Sequence, residues 1–447
     1  MRERPMLRFA DARLAINGGK PVRIAPWSEH LTVGEEEKRA VLKVLEGGRL
    51  SFFEGAHEPK APFSFWGGPK VQELEEAWCK YYGCRFAVSM NSATSGLYAA
   101  IGALGLGFGD EVIVSPYSMS ASAVCALVYG AIPIFADVQL ETGCLDPDSV
   151  EAHITPRTRG IVVIHQFGTP ADMDRIMALA RKHSLKVIED CAQAHGAKYK
   201  GRSVGTIGNI GVFSLNVNKT IQTGEGGVCT TNDPDLRYRL ALIRNHGEAV
   251  VEAAQYEDIT NMVGFNYRLT ELQAAIGIEQ FKKLDRFNQA RIEYADYLMI
   301  GLSRYPCFLP MVRCAEKTRG TCTCTKPEEC VSTIYTFTFR YLGDELGVPR
   351  EDLLAALRAE GIRLGQGYVA PLYFQPVYQR KLAFKHGYPF AAPENREIQT
   401  NYFKGACPNA ERLHDLELIS TDVVRLPHTM DDMKQIIEAV DKVMASV

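Results

Sequence analysis

From Arg85 onward the chain alternates short apolar runs with amphipathic stretches. The runs at 86–90, 111–115, 132–137, 160–165, 186–189, 210–214 and 227–230 are rich in β-branched residues, and several are apolar almost throughout. That is the composition of strands buried on both faces of a largely parallel sheet. Between them, 95–104, 121–129, 172–183 and 235–244 read as helices. The alternation predicts a doubly wound α/β sheet, and ligands of such sheets gather at the carboxyl ends of the strands. Further on, Thr270-Glu-Leu-Gln273 is a capping box that opens a helix over 270–284, its apolar face continued by Leu272, Ile276 and Phe281. A longer helical pattern follows to about Ser303. The stretch 333–341 alternates as a strand, and 350–360 and 435–447 read as helices. Three parts are expected: an N-terminal segment over 1–30, a large α/β domain over 31–285 and a smaller α+β domain over 286–447. The N-terminal segment is expected to lie across the smaller domain or across a partner subunit.

Bulk properties narrow the function. A chain of 447 residues exceeds what one small core needs. The formal net charge of −3 carries no polyanion footprint, so no nucleic-acid partner is expected. No apolar run approaches the roughly 18 residues that span a membrane. The start Met-Arg-Glu-Arg-Pro is followed by Arg8, Asp11 and Arg13 instead of an apolar h-region, which predicts a cytoplasmic protein without a signal peptide. Most of the 12 cysteines sit in apolar segments, where a reduced thiol acts as a small hydrophobe. Cys314, Cys322, Cys324 and Cys330 cluster apart. A metal site is one reading of them and a polar insertion the other. The lack of a Cys-x-x-Cys pair favours the insertion, and no metal is expected.

Four segments at expected strand ends carry candidate chemistry. Asn91-Ser-Ala-Thr-Ser-Gly96 places small and hydroxyl residues where a helix begins, so its free N–H groups suit an anion, although an ordinary cap has the same look. Asp190, in Glu189-Asp-Cys-Ala-Gln193-Ala-His195, follows a strand and points toward the same edge. It is either a helix cap or a carboxylate needing a cationic partner such as a protonated pyridine nitrogen. Lys219 lies between the strand ending at Ser214 and the turn Gly224-Glu-Gly-Gly227. Most lysines are solvated, but this setting implies close backbone packing around an amine able to form an imine. Asn266 and Arg268 stand ahead of the capped helix, where a structural loop is an equal reading.

In combination these segments resemble the DegT/DnrJ/EryC1/StrS family of pyridoxal-phosphate-dependent sugar aminotransferases. The similarity runs from about Leu14 to the C-terminus. Its signatures are Asn91–Leu97, Gly109-Asp-Glu-Val-Ile-Val, Pro170-Ala-Asp-Met, Glu189-Asp-Cys-Ala-Gln-Ala-His-Gly-Ala, Lys219 through Gly227, and Asn266-Tyr-Arg-Leu-Thr-Glu-Leu-Gln-Ala-Ala. The resemblance implies the fold-type-I architecture, a mostly parallel sheet with a smaller C-terminal α+β domain. It implies pyridoxal 5′-phosphate (PLP) as cofactor, with Lys219 as its Schiff-base lysine and Asp190 as partner of the ring nitrogen. By the same match Gln193 lies beside the ring, Ala93, Thr94 and Ser214 form the phosphate cup, and Asn266 reaches the phosphate from the neighbouring subunit of a homodimer. Where the family stacks an aromatic ring on the cofactor, this chain carries Met119, with Tyr117 two residues away as a substitute. The implied reaction moves an amino group from glutamate or glutamine to a nucleotide-linked keto-sugar or an inosose-like keto-cyclitol. Motifs of both substrate branches are present. A dehydratase of the family would carry histidine in place of Lys219, and a non-catalytic regulator on the same fold would lose Lys219 or Asp190. This chain keeps both.

Overall fold

The computed structural model describes residues 11–311 and 329–447. Cys314, Cys322 and Cys324 lie outside the described residues, and Cys330 is half-buried. The main sheet comprises β1 (Phe86–Met90), β2 (Glu111–Val114), β3 (Ile132–Phe135), β4 (Thr158–Ile164), β5 (Lys186–Asp190), β8 (Ile210–Ser214) and β9 (Gly227–Thr231); β6 (Lys198–Tyr199) and β7 (Arg202–Ser203) form a small hairpin beside it. The spatial order is β1-β9-β8-β5-β4-β2-β3. The pairs β2–β3, β2–β4, β4–β5 and β5–β8 are parallel, whereas β9 runs antiparallel between β1 and β8. The central strands are buried along nearly their whole length, as their continuous apolar character requires.

Helices α1 (Glu35–Glu46), α2 (Pro69–Tyr82), α3 (Ala93–Ala103), α4 (Ala121–Val128), α5 (Pro147–Ala152), α6 (Met173–His183), α7 (Pro234–Arg244), α8 (Glu271–Phe281) and α9 (Leu284–Leu302) cover the sheet and lead out of it. The capping box at α8 is present: Thr270 Oγ1 accepts from the Gln273 N–H, and the Gln273 side chain accepts from the Thr270 N–H. Beneath the sheet Trp78 stacks on Phe281 at 4.6 Å and meets Phe213 edge-on at 5.4 Å, joining α2, α8 and β8. Among the described residues no helix is long and apolar enough to cross a membrane.

A second sheet, β10 (Phe308–Pro310), β11 (Phe337–Tyr341), β12 (Gly365–Gln366) and β13 (Leu418–Thr421), has the order β10-β11-β13-β12 and packs on α9 and on the helices Arg350–Ala359 and Met430–Met444. Residues 11–28 lie across this unit. Leu14 enters its core, and the buried Glu360 carboxylate accepts from the Ala15 and Val22 N–H groups and from Lys442 Nζ. Between β12 and β13 the chain returns to the main sheet, where Tyr373, Tyr378 and Tyr402 surround Phe135 at 5.6, 5.2 and 5.5 Å. The strand expected over 333–341 begins only at Phe337, because Ile334 holds φ 49° and turns the preceding residues toward the main sheet.

Candidate active site

The carboxyl ends of β1, β5 and β8 and the amino end of β9 open on one edge of the sheet. There a cavity of about 500 Å³ is lined by Ser92, Ala93, Thr94, Leu97, Ser118, Met119, Ala121, Ser122, Asp190, Ala192, Gln193, Ser214, Asn216, Asn218, Lys219, Glu225, Tyr335, Tyr368 and Val369. Seven of the eight residues expected at the site are among them. The eighth, Asn266, is exposed and does not line its own chain's cavity; its carbonyl accepts from Asn91 Nδ2 at 3.4 Å.

One wall is the start of α3. Ser92 is the N-cap, its Oγ accepting from the Ser95 N–H at 3.0 Å, so Ala93 and Thr94 occupy the first turn, whose N–H groups have no helical carbonyl to reach. Strand β9 passes close beneath. A Cβ on Gly227 would stand 2.6 Å from the Ser92 carbonyl carbon, so only glycine permits this approach. Ser214, opposite Gly227 in the β8–β9 ladder, adds a hydroxyl on the same side.

The other pole is Asp190, the last residue of β5 and 4% exposed. Its Oδ2 accepts from Ser122 Oγ at 2.8 Å and its Oδ1 from the Ala192 N–H at 3.1 Å. Asp190 therefore holds its carboxylate into the cavity between two donors. Beneath it, Glu189 faces the opposite side. Glu189 accepts from His165 Nε2 and from the N–H groups of Gly205, Ile207 and Gly208. Burial would raise the Glu189 carboxyl, but these donors, His165 foremost, hold it below the usual carboxylate range. The possible ligand atoms of His165, Glu189 and Cys191 lie within 4.8 Å of one another, close enough to share a metal ion. Their geometry is that of an internal bond instead: His165 Nδ1 takes the Ala171 N–H, which leaves Nε2 protonated and donating to Glu189.

Lys219 is half-buried between these poles, its Nζ 4.6 Å from the centre of the Tyr335 ring. Gln193 is anchored at both ends: its Oε1 accepts from the Phe167 N–H at 2.8 Å and its Nε2 donates to the Tyr368 hydroxyl at 3.1 Å. Of the two stacking candidates, Met119 lines the cavity and is 61% exposed. Tyr117 is fully buried, edge-on to Tyr368 at 6.1 Å, and lies outside the lining. Sequence reasoning missed Ser122, Tyr335 and Tyr368. The latter two arrive from the C-terminal unit, and no local spacing connects any of the three with Lys219.

The model of the DegT/DnrJ/EryC1/StrS aminotransferase family matches residues 63–393. An L-glutamine:2-deoxy-scyllo-inosose aminotransferase of Streptomyces lividus is 33% identical, over 96% of this chain and 97% of that protein. The spore coat polysaccharide biosynthesis protein SpsC of Bacillus subtilis is 32% identical over 79% of this chain and 85% of its own. Among solved structures, an aminotransferase from Psychrobacter cryohalolentis superposes with a TM-score of 0.76 at 30% identity, covering 95% of this chain and all of that one.

Proposed function

Because the chain belongs to the DegT/DnrJ/EryC1/StrS aminotransferase family, we propose that it moves an amino group from glutamine or glutamate to a keto-cyclitol or a nucleotide-linked keto-sugar, with PLP as cofactor. The observation that carries the reading is the convergence of an amine, a carboxylate and a helix start on one cavity. The residues fit the cofactor. The first turn of α3 and the Ser214 hydroxyl suit a phosphate, and the close approach of Gly227 leaves that turn free to face it. Asp190, already held by Ser122 and the Ala192 N–H, suits a protonated ring nitrogen. Lys219 suits the aldehyde.

Bound here, PLP supplies a carbonyl that captures amines and a ring that draws electrons from the bond being broken. The chain supplies the rest. Asp190 keeps the ring nitrogen protonated, because its carboxylate is fixed between two donors and disfavours a neutral partner. Lys219 Nζ carries the proton between the donor's α-carbon and the carbon that takes its nitrogen, and reverses the transfer on the keto substrate. Gln193 would flank the ring, and Met119, which lines the same cavity, would offer it a thioether. Donor and acceptor use the same cavity in turn, so the kinetics are ping-pong. Lysine at position 219 favours transfer over dehydration.

Asn266 completes the site of a second copy of the chain. Its exposure outside its own cavity, next to the loop that starts α3, supports a homodimer with shared sites. A cytoplasmic setting fits the abundance of buried thiols, which a reducing compartment preserves. The inosose-named relative covers nearly the whole chain and makes scyllo-inosose compounds the first acceptors to try. In the test, purified protein loaded with PLP is offered glutamine or glutamate with inososes and nucleotide-linked keto-sugars. Transfer is expected with at least one acceptor. Lys219→Ala is expected to lose both turnover and the absorbance of lysine-bound cofactor while keeping its fold. Undiminished transfer by Lys219→Ala would refute the assignment.

A further inference from the structure

We propose that Tyr335 is a positioning residue that gives the Lys219 amine a fixed station; the proposal rests on Lys219 being the amine of the transfer. The ring face stands 4.6 Å from Lys219 Nζ, a distance at which its π-electrons attract an ammonium. The backbone that presents the ring is strained. Ile334, immediately before it, is β-branched and holds φ 49°, in the left-handed region that such residues avoid. Bonds from two directions enforce the turn. The Thr333 and Tyr335 N–H groups donate to the carbonyls of Gly168 and Phe167 at 3.0 and 2.8 Å. From the opposite side, Arg291 Nη1 donates to the carbonyls of Ile334 and Tyr335 at 3.1 and 2.9 Å.

Arg291 is 1% exposed, and burial, reinforced by the charge of Arg425, pulls its guanidinium down to about 9. Its Nε and Nη2 find no hydrogen-bond partner among the described residues. Burying a guanidinium with so few acceptors is costly, and what it grips are the two carbonyls flanking the Tyr335 ring. A strained turn held in this way points to a function for the side chain it aims. Once Lys219 Nζ has taken a proton from one carbon it is an ammonium, and it has to remain within reach of the carbon that receives that proton. The aromatic face is the seat that keeps it there. The contact is made by the ring and not by the hydroxyl, so phenylalanine should serve and an aliphatic side chain should not.

The test compares the full-length wild type with Tyr335→Phe and Tyr335→Leu. In cofactor-free protein, the acetylation rate of Lys219 by trace acetic anhydride is read by mass spectrometry against the exposed Lys38 as internal reference. In loaded protein, kcat and KM are measured for the keto substrate. Tyr335→Leu is expected to raise Lys219 labelling about 3- to 10-fold and to lower kcat ~10- to 100-fold with KM changed less than about 2-fold. Tyr335→Phe is expected within about 2-fold of wild type in each. If the leucine variant does not fold, trifluorophenylalanine at position 335 keeps the shape, removes the negative ring face and should reproduce the faster labelling. Wild-type labelling in the leucine or fluorinated protein overturns the proposal, as does a Phe variant that behaves like Leu. A wild type without Lys219-dependent transfer overturns the functional reading as well, whereas normal labelling and transfer in the leucine variant overturns only the role of Tyr335.

Discussion

Gly227→Ala alters the end of the cavity where α3 begins, the proposed seat of the phosphate, without adding or removing a polar group. The new Cβ would stand 2.6 Å from the carbonyl carbon and oxygen of Ser92 and 2.7 Å from the Ala93 nitrogen, about 0.8 Å short of the 3.4 Å at which ordinary contact begins. Strand β9 has little room to yield, because Gly227 is paired with Met90 on one side and Ser214 on the other. The displacement therefore falls on Ser92 and Ala93, where α3 begins. Forcing one extra carbon into such a contact costs about 1–3 kcal/mol, a fall in Tm of about 2–12 °C for a unit of this size. Moving the first turn by most of an ångström also spoils a charge-assisted hydrogen bond to a bound phosphate, ~1.5–3 kcal/mol or roughly 10- to 100-fold in PLP affinity. Gly224→Ala is the control. It holds φ 79° with nothing within 4 Å of its Cβ, so alanine there meets backbone strain alone, about 1–2 kcal/mol, without contact with the cup. Thermal unfolding of the cofactor-free proteins and PLP titration by fluorescence separate the two effects. Gly227→Ala should lose affinity as well as stability, and Gly224→Ala stability alone. Wild-type affinity in Gly227→Ala, or equal losses of affinity in both, would refute the argument that β9 supports the phosphate cup.

Asp190→Asn should still bind PLP but lose turnover by at least ~10²-fold, since an amide does not hold the ring nitrogen protonated; near wild-type kcat at saturating PLP would make Asp190 a mere cap. In mixed dimers of Asn266→Ala with Lys219→Ala chains, the site that keeps Lys219 receives Asn266 from its neighbour. PLP affinity measured there should exceed that of the Asn266→Ala homodimer, and no gain although mixed dimers form would place Asn266 outside the shared site. His195, fully buried, is held down to about 3 by burial first and by the charge of Lys219 second. The unfolded chain therefore binds the extra proton between about 6.5 and 3, and stability contributed by neutral His195 is present above ~6.5 and lost as pH falls, by up to ~1.4 kcal/mol per unit. Urea midpoints from pH 7 to 5 should fall less steeply in His195→Gln than in wild type; parallel slopes would mean that another group carries the titration, His30 being the first to examine.

What the sequence determined by itself was local. The strands of the main sheet were legible because each is a short apolar run buried on both faces, and β1 and β8 fall where the pattern placed them. The start of α8 was legible because its cap is made by residues three apart. That Lys219, Asp190, Gln193, Ala93, Thr94 and Ser214 would line one cavity was legible because chemistry-bearing residues stood at strand ends, and strand ends of a parallel sheet share one edge. The tertiary structure alone decided how those ends meet. Antiparallel β9 enters between β1 and β8 and brings Gly227 under Ser92, a relation between residues 135 positions apart that no periodicity encodes. Ser122 reaches Asp190 across 68 residues. The alternation over 333–341 reads as one continuous strand, but the Arg291 bonds to two carbonyls and the pairing with the Phe167–Gly168 turn outweigh that local preference and lay Tyr335 over Lys219. Local pattern follows from which side chains must leave water. Which distant backbone groups satisfy one another is settled only when the layers close, and at this site that closure sets the environment of Lys219.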